Sequence, residues 1–154
     1  MDLTIKANGE WWHEGRRMTR QKLIDLFATV LWREGDAYFL KTPVEKIGIQ
    51  VEDVPLFIEE VNLLQLADGN YIECLTTHQD RIVLDSEHLL QMRVFQGELK
   101  PYVTIRANLD ARIARHAFYH IVSWCDLQEN DEHTMLSIPM GASQQHLSTD
   151  NTAF

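Results

Sequence analysis

Apolar and polar residues alternate along the first 18 positions of the chain, around the dipeptides Asn8-Gly9 and Glu14-Gly15. Alternation with a period of two is typical of strands, because successive side chains of a strand point to opposite faces. Both dipeptides favour the positive φ angles of tight hairpins. The pattern therefore predicts short strands and hairpins at the start of the chain.

A helical pattern follows, and Thr19 is a suitable cap for its first turn. Apolar residues then recur at spacings that place them in one stripe along a helix: Leu23, Leu26, Phe27, Val30 and Leu31. Glycine is a typical residue for the end of a helix. We predict a helix that packs this stripe on the core and ends at Gly35.

Seven further segments predict strands: residues 37–40, 44–51, 54–66, 70–75, 81–84, 91–95 and 102–106. The first two are rich in β-branched and aromatic residues, and Pro43 between them excludes a helix. Asp68-Gly69 marks a turn, and a loop with Gly97 and Pro101 gives the last two segments a hairpin-like arrangement.

The strongest helical pattern runs from Leu109 to about Cys125, with Asn108 as its cap. At about 100° per residue, one half of its circumference is apolar: Ile113, Ala114, Ala117, Phe118, Ile121, Val122, Trp124 and Cys125. The other half is polar: Arg112, Arg115, His116, Tyr119, His120 and Ser123. We predict that this helix packs one face on a sheet and presents the other to solvent or to a partner.

After Trp124 the chain becomes polar, apart from an apolar segment at residues 135–140. The order of elements indicates an α+β fold with two small units that meet near residues 52–56. We expect an N-terminal α+β domain at residues 1–54 and a C-terminal domain at residues 55–127. Residues 128–154 are predicted to form a polar, acidic, loosely held tail with one docked segment.

Charge and composition narrow the possible partners. With 23 acidic and 14 basic side chains the formal charge is −9, which disfavours nucleic acid and anionic membranes as partners. No apolar run reaches the roughly 18 residues of a membrane-spanning helix, and no apolar signal segment follows Met1, so we expect a soluble, cytoplasmic protein. Cys74 and Cys125 match no metal or redox spacing, and we interpret them as reduced residues that fill the core.

Four basic residues stand together near the start of the first predicted helix: Arg16, Arg17, Arg20 and Lys22. Cations are unfavourable there, because the N-terminus of a helix already carries positive partial charge. One hypothesis is that an anion docks on this helix terminus. The alternative is a solvated basic loop that pairs with the many carboxylates of the protein.

His116 and His120 are four residues apart on a helix, a spacing that can place two imidazoles on one metal. Arg112 lies one turn before them and no third ligand stands between them, so we interpret the pair as an exposed polar face and predict no metal site. The sequence contains no GxSxG, Walker, GxGxxG or catalytic cysteine signature. We therefore assign no catalytic residue and no cofactor.

Three long stretches resemble a bacterial family catalogued as domain of unknown function 1285. They are residues 8–16 (NGEWWHEGR), residues 38–46 (YFLKTPVEK) continuing to residues 51–55 (VEDVP), and residues 101–106 (PYVTIR) with residues 109–112 (LDAR). The resemblance implies an α+β chain of two small, structurally related domains. The second is similar to a pleckstrin-homology module, a bent sheet closed by a C-terminal helix.

The resemblance also implies a nucleotide-like ligand at the domain interface and a role in signal transduction, without an established reaction. The matching positions that suit a ligand site are Trp11, Arg16, Thr42, Glu45, Asp53, Arg106 and Arg112. The arginines suit a phosphate, because guanidinium groups donate in a planar fork. Asp53 and Glu45 are suited to orient them or to accept from a ribose hydroxyl. Trp11, Trp12 and Tyr38 either stack on a planar ring or pack in the core.

We therefore expect a non-catalytic sensor or regulatory module that binds an anionic, nucleotide-like small molecule between its domains. Two alternatives stay open. A protein-interaction module would use the pleckstrin-like surface or the acidic tail. A metal-dependent hydrolase acting on a nucleotide would need Asp53, His116 and His120.

Overall fold

The computed structural model describes residues 1–150, and its N-terminal unit is built on a six-stranded sheet. The elements are β1 (Leu3–Ile5), β2 (Trp11–His13), β3 (Arg16–Arg17), α1 (Gln21–Thr29), β4 (Leu31–Glu34), β5 (Ala37–Lys41) and β6 (Lys46–Val51). The strand order is β3-β2-β1-β6-β5-β4. β1 and β6 are parallel, and the other neighbours are antiparallel.

The C-terminal unit is a nine-stranded sheet with one helix in residues 56–150. Its elements are β7 (Leu56–Leu66), β8 (Gly69–Thr76), β9 (Arg81–Val83), β10 (Gln91–Phe95), β11 (Glu98–Arg106), β12 (Leu109–Ile113), α2 (Arg115–Ser123), β13 (Asp126–Glu129), β14 (His133–Gly141) and β15 (Ser143–Asp150). The order is β10-β11-β12-β7-β8-β14-β13, with β9 paired to β8 and β15 paired to β14.

The first six strands of the two sheets share one arrangement. In each unit the order is third, second, first, sixth, fifth, fourth, and the first and sixth strands are parallel. The helices differ in position, because α1 precedes the fourth strand and α2 follows the sixth. Residues 1–150 are thus mostly β structure, with two helices and two sheets of related topology.

One apolar core runs through both units. Leu3 and Ile5 of β1 are fully buried and belong to the same cluster as Ile58 of β7 and Ile113 of β12. Alternate strand residues supply these side chains, as the period of two requires. The two sheets are therefore packed together, and their polar residues at the shared boundary are brought close to one another.

The seven strand predictions after residue 36 are confirmed, each by a strand that overlaps it: β5 to β11. The first helix is shorter than predicted: α1 ends at Thr29, and Leu31 already belongs to β4. Its N-cap residue is Arg20 rather than Thr19, without a side-chain cap. Leu26 is 61% exposed, so the predicted stripe was wrong at that position, and Ile24 and Ala28 are the buried residues of the helix.

The second predicted helix begins too early. Residues 109–113 form β12, and α2 begins only at Arg115. Ala107 and Asn108 have φ values of 48° and 61°, so Asn108 lies in the β11–β12 turn and does not cap a helix. β12 pairs with β11 on one side and β7 on the other, and nearly all of it is buried. Burial on both faces removes the alternation that identifies a strand, so the sequence pattern extends the helical period of α2 backwards over residues 109–113.

The segment predicted as a loosely held tail forms three strands, β13 to β15, up to Asp150. β14 pairs with β8, β13 and β15, and its Leu136 and Ile138 are fully buried. The docked segment predicted at residues 135–140 is confirmed. Residues 151–154 of the predicted tail lie outside the described residues.

Both cysteines are free thiols, as predicted. Cys74 is fully buried, and the Cys125 thiol donates to the carbonyl oxygen of Ile121 at 3.0 Å. Burial raises the pKa of each thiol to about 12.

Candidate functional site

A group of polar side chains lies where the two sheets meet. We call it the interface cluster and define it as Arg33, Tyr38, Asp53, Arg93, Tyr102, Thr104, Asp110 and Arg112. The first three come from β4, β5 and the link between β6 and β7, and the other five come from β10, β11 and β12. Pairing of β11 with β12 places Tyr102 opposite Arg112 and Thr104 opposite Asp110. The fold thus collects residues from distant parts of the chain.

Asp110 is the most connected residue of the interface cluster and is only 6% exposed. Its Oδ1 accepts a hydrogen bond from Thr104 Oγ1 at 2.6 Å. Its Oδ2 accepts from Arg93 Nη2 at 3.1 Å and from Arg33 Nη1 at 3.4 Å. Arg33 also donates to the carbonyl oxygens of Asn108 and Gly35. Asp110 therefore joins guanidinium groups from both units.

Asp53 forms the second centre of the interface cluster. Tyr102 Oη donates to Asp53 Oδ2 at 2.7 Å, and Arg112 Nη1 lies 3.6 Å from the same oxygen. The guanidinium of Arg112 also lies over the ring of Phe57, 5.8 Å from its centroid. Burial raises the pKa of both Tyr102 and Tyr38 above the ordinary value, so both hydroxyls remain protonated at neutral pH.

The interface cluster has more cationic than anionic groups. Three guanidinium groups stand against two carboxylates, which leaves one net positive charge. The Arg93 guanidinium covers the ring of Tyr102 at 4.4 Å, and its buried Nε–H has no hydrogen-bond partner within residues 1–150. An open cavity of about 380 Å³ is lined by Arg33, Gly35, Thr104, Asn108 and Asp110. Among the described residues, Arg33 is the one guanidinium of the interface cluster that lines this cavity.

A larger cleft of about 640 Å³ lies elsewhere along the boundary between the units. We call it the acidic cleft. The β1–β2 loop, Arg17 and the start of α1 form one wall, and β7 with the β8–β9 turn forms the other. Its walls carry three carboxylates and one guanidinium, from Glu10, Glu59, Glu60 and Arg17. The two cavities share no lining residue among those described.

Trp11 lines the acidic cleft instead of facing the interface cluster. It is 1% exposed, stacks on Phe27 with ring centroids 6.5 Å apart, and meets His78 edge to face at 5.6 Å. Trp12, the neighbour of Trp11 on β2, is only half-buried and donates to Glu10 Oε1 at 3.3 Å. His78 Nδ1 lies 3.2 Å from Asp25 Oδ1, and burial lowers the pKa of His78.

The remaining predicted ligand residues lie apart from the interface cluster. Arg106 donates to Asp80 Oδ1 at 3.0 Å and to the carbonyl oxygen of Ala28 at 2.9 Å, which ties the end of α1 to the β8–β9 turn. Arg16 is exposed on β3. Thr42 and Glu45 are exposed and bond each other across the β5–β6 loop, with 3.2 Å from Glu45 N to Thr42 Oγ1.

The structure therefore brings Arg112 and Asp53 together, but within residues 1–150 it gives Arg16, Arg106 and Arg112 no common partner. The sequence interpretation does not single out Arg33, Arg93 or Asp110. The sequence pattern predicts Arg33 within the first helix, whereas in the structure it follows the buried Leu31 by two positions on β4. A charged residue in the inward phase of a strand is the signal that would have indicated it.

The histidine pair has other contacts. His116 Nε2 lies 2.9 Å from the carbonyl oxygen of Glu59, and the His120 ring stacks on Trp124 at 6.0 Å. Within residues 1–150, no group of three or more histidine, cysteine, aspartate or glutamate residues is placed to hold a metal ion. No helix in the same part of the chain is long and apolar enough to cross a membrane.

Comparisons with known proteins point to one family. The family model described as "Domain of unknown function (DUF1285), N-terminal domain" matches residues 1–54 of the sequence. The family model of the C-terminal domain of the same family matches residues 55–144. A crystal structure of a DUF1285 family protein from Silicibacter pomeroyi DSS-3 is similar, with a TM-score of 0.83 and 30% identity over 97% of this chain and 80% of that chain.

A second similar crystal structure is that of a DUF1285 family protein from Shewanella baltica OS155. Its TM-score is 0.61, with 28% identity over 79% of this chain and 90% of that chain. No curated protein matches the sequence.

Proposed function

The chain belongs to the DUF1285 family, and from this premise we propose that it is a cytoplasmic, non-catalytic sensor or regulatory module. Its interface cluster binds an anionic, nucleotide-like small molecule. The observation that carries the proposal is the excess of guanidinium groups in the interface cluster, together with the Nε–H of Arg93, which has no acceptor among the described residues. A buried donor without an acceptor costs about 1–3 kcal/mol, and an anionic oxygen would remove that cost.

The ligand residues we propose are Arg33, Arg93 and Arg112, with Asp53 and Asp110 as the carboxylates that orient them. Asp53 and Arg112 agree with the sequence prediction. Arg16, Arg106, Thr42 and Glu45 are left out of the proposed site, because their partners lie elsewhere. The guanidinium of Arg33 lies over the ring of Tyr38, and that of Arg93 lies over the ring of Tyr102. Each guanidinium is therefore fixed in orientation before a ligand arrives.

Ligand binding at this position would couple the two units. Arg33 belongs to the N-terminal unit, whereas Arg93 and Arg112 belong to the C-terminal unit. An anion that contacts guanidinium groups from both sides stabilises the packed arrangement of the units, and its release weakens that packing. A role in signal transduction needs such a dependence on the ligand.

Thermal unfolding in the presence of AMP, ATP and inorganic phosphate tests the proposal. A ligand at 100 times its dissociation constant adds about 2.7 kcal/mol to stability, which is a shift of about 5–10 °C for a chain of this size. The shift should disappear in Arg93→Ala and Arg112→Ala and persist in Arg81→Ala, whose partner Glu73 lies outside the interface cluster. If all three anions leave the melting temperature unchanged, or if Arg16→Ala abolishes the shift and Arg112→Ala does not, the proposed site is wrong.

A protein-interaction module is the second candidate. All four residues of β13 are exposed, including the acidic Asp126 and Glu129 and the apolar Leu127. An exposed strand edge with this composition suits a basic partner strand. Charge reversal at Asp126 and Glu129 should abolish capture of such a partner and leave anion binding unchanged, which separates the two candidates.

We also propose that residues 55–127 correspond to a pleckstrin-homology-like module and that residues 1–54 form a separate domain. The support is the position of α2, which follows the sixth strand and buries Ala117, Phe118 and Ile121. Superposition of an experimental structure of residues 55–127 on pleckstrin-homology modules tests this. A sheet that does not bend around α2 would contradict it.

A further inference from the structure

The acidic cleft has a charge opposite to that of the interface cluster. Arg17 Nε lies 3.2 Å from Glu10 Oε2, so these two side chains compensate each other. Glu59 and Glu60 are both exposed, and neither forms a salt bridge within residues 1–150. The cleft therefore carries two uncompensated negative charges on the β7 wall.

A β-bulge places these two carboxylates. The register of β7 against β8 shifts between Ile58 and Glu60, so Glu59 is the extra residue. Bulges re-aim side chains and are common beside binding sites. The carbonyl oxygen of Glu59 contacts His116, and Glu60 Oε2 accepts from Asn62 Nδ2 at 3.2 Å. These contacts leave most of the acceptor capacity of both carboxylates free for a ligand.

Trp11 gives an independent indication of a ligand. It lines the same cleft, is 1% exposed, and its Nε1–H has no acceptor in the part of the chain that the structure describes. Buried indole N–H groups usually find a partner. Because neighbouring side chains cover Nε1, a ligand satisfies it by displacing them or by holding a water molecule beside it.

The wall of the acidic cleft also has an apolar part, beside polar side chains such as those of Gln21, Thr76 and Gln79. Ile24, Phe57 and Leu75 line the cleft, and Met18 adds a flexible side chain that adapts to different shapes. The volume of about 640 Å³ is within the range of small-molecule sites and exceeds that of one amino acid. A ligand for this cleft combines positive charge, a hydrogen-bond acceptor and an aliphatic part.

We propose that the acidic cleft binds a small organic cation that also carries a hydrogen-bond acceptor, which is the chemistry of a basic amino acid or of a short peptide that contains one. The amine or guanidinium group pairs with Glu59 and Glu60. The carboxylate or carbonyl oxygen accepts from Trp11 Nε1–H, and the aliphatic stem packs on Ile24 and Phe57. The site is separate from the proposed anion site.

Titration of the full-length protein with three probes tests the proposal: lysine, cadaverine and glutarate. Lysine has both required groups, cadaverine lacks the acceptor, and glutarate lacks the amine. We expect lysine to bind more tightly than cadaverine and glutarate not to bind. In nitrogen-15 NMR spectra the indole signal that Trp11→Phe removes should move on addition of lysine.

Two variants and a matched control complete the experiment. Glu59→Gln combined with Glu60→Gln should weaken lysine binding by about tenfold, whereas Glu129→Gln, which removes an exposed charge on β13, should not. Arg93→Ala should leave lysine binding unchanged, which distinguishes this site from the anion site. Absence of lysine binding at 10 mM (about ten times a typical weak affinity), or equal binding by the double variant and the wild type, would overturn the proposal. Binding of glutarate as tightly as lysine would also overturn the proposal.

Discussion

Replacement of Asp110 by asparagine removes the carboxylate that joins Arg33 and Arg93 across the two units. Asparagine keeps the size and one acceptor oxygen but not the negative charge, so two guanidinium groups lose their charged partner at 3.1 and 3.4 Å. The Thr104 hydroxyl, at 2.6 Å, retains an acceptor. The variant therefore tests the charge of Asp110 and not its shape.

The expected loss of stability depends on how far the ion pairs of Asp110 are buried. Loss of one partner from a fully buried ion pair costs about 3–5 kcal/mol. The side chains of Arg33 and Arg93 are 26% and 41% exposed, so water recovers part of this energy. We expect Asp110→Asn to lower the free energy of unfolding by about 2–3 kcal/mol. This corresponds to a drop of about 4–12 °C in melting temperature.

Thermal and urea unfolding followed by circular dichroism measure the effect, with Asp126→Asn on the exposed β13 as the control, which should melt like the wild type. Because Asp110→Asn raises the net charge of the interface cluster by one, inorganic phosphate should stabilise this variant more than the wild type. A melting temperature within about 1 °C of the wild type, or an equal response to phosphate, would refute the role assigned to Asp110.

Three further predictions concern other parts of the molecule. Gly9→Ala should lower the free energy of unfolding by about 1–3 kcal/mol, because Gly9 has a φ of 91° and an added Cβ would lie 3.0 Å from Phe57 Cβ. Urea unfolding measures this effect, and an unchanged midpoint would contradict the prediction. Burial lowers the pKa of His78 in the folded protein. The unfolded chain, in which this histidine has its ordinary pKa of about 6.5, therefore binds a proton more readily than the folded protein, and stability should fall as the pH drops through that value. His78→Gln should reduce this pH dependence, and an identical slope would contradict the assignment. Cys74 and Cys125, whose pKa is raised to about 12, should react slowly with iodoacetamide at pH 8 until the protein unfolds; rapid alkylation of the folded protein would contradict their burial.

The strands were predictable where one face is buried and the other exposed. β6 shows this most clearly, because its residues alternate between exposed and half-buried along the whole strand. β12 was not predictable, because it is buried on nearly every side and its pairing with β7 joins residues more than 50 positions apart. The local sequence pattern contains no information on such a partner, so it predicts the strand next to α2 as part of that helix.

The candidate site was only partly predictable for the same reason. Asp53 and Arg112 stand within stretches that resemble the family, whereas Arg33 and Arg93 are isolated arginines without a motif around them. Their common partner, Asp110, lies in the strand that was predicted as a helix. Arg16 and Arg106 belong to the same stretches, yet one is exposed on an edge strand and the other forms its contacts with Asp80 and α1.

The measurement that tests the central claim most directly is the response of the Arg93 side chain to a nucleotide. The Nε–H signal of Arg93, assigned by its loss in Arg93→Lys, is followed in nitrogen-15 NMR spectra while AMP is added. If the interface cluster is an anion site, the Arg93 signal shifts as AMP is added and gives the same dissociation constant as the other signals that shift. The reason is that the Nε–H, which has no acceptor within residues 1–150, gains one. If AMP binds and the Arg93 signal stays in place, or if AMP does not bind, the account of this site is contradicted.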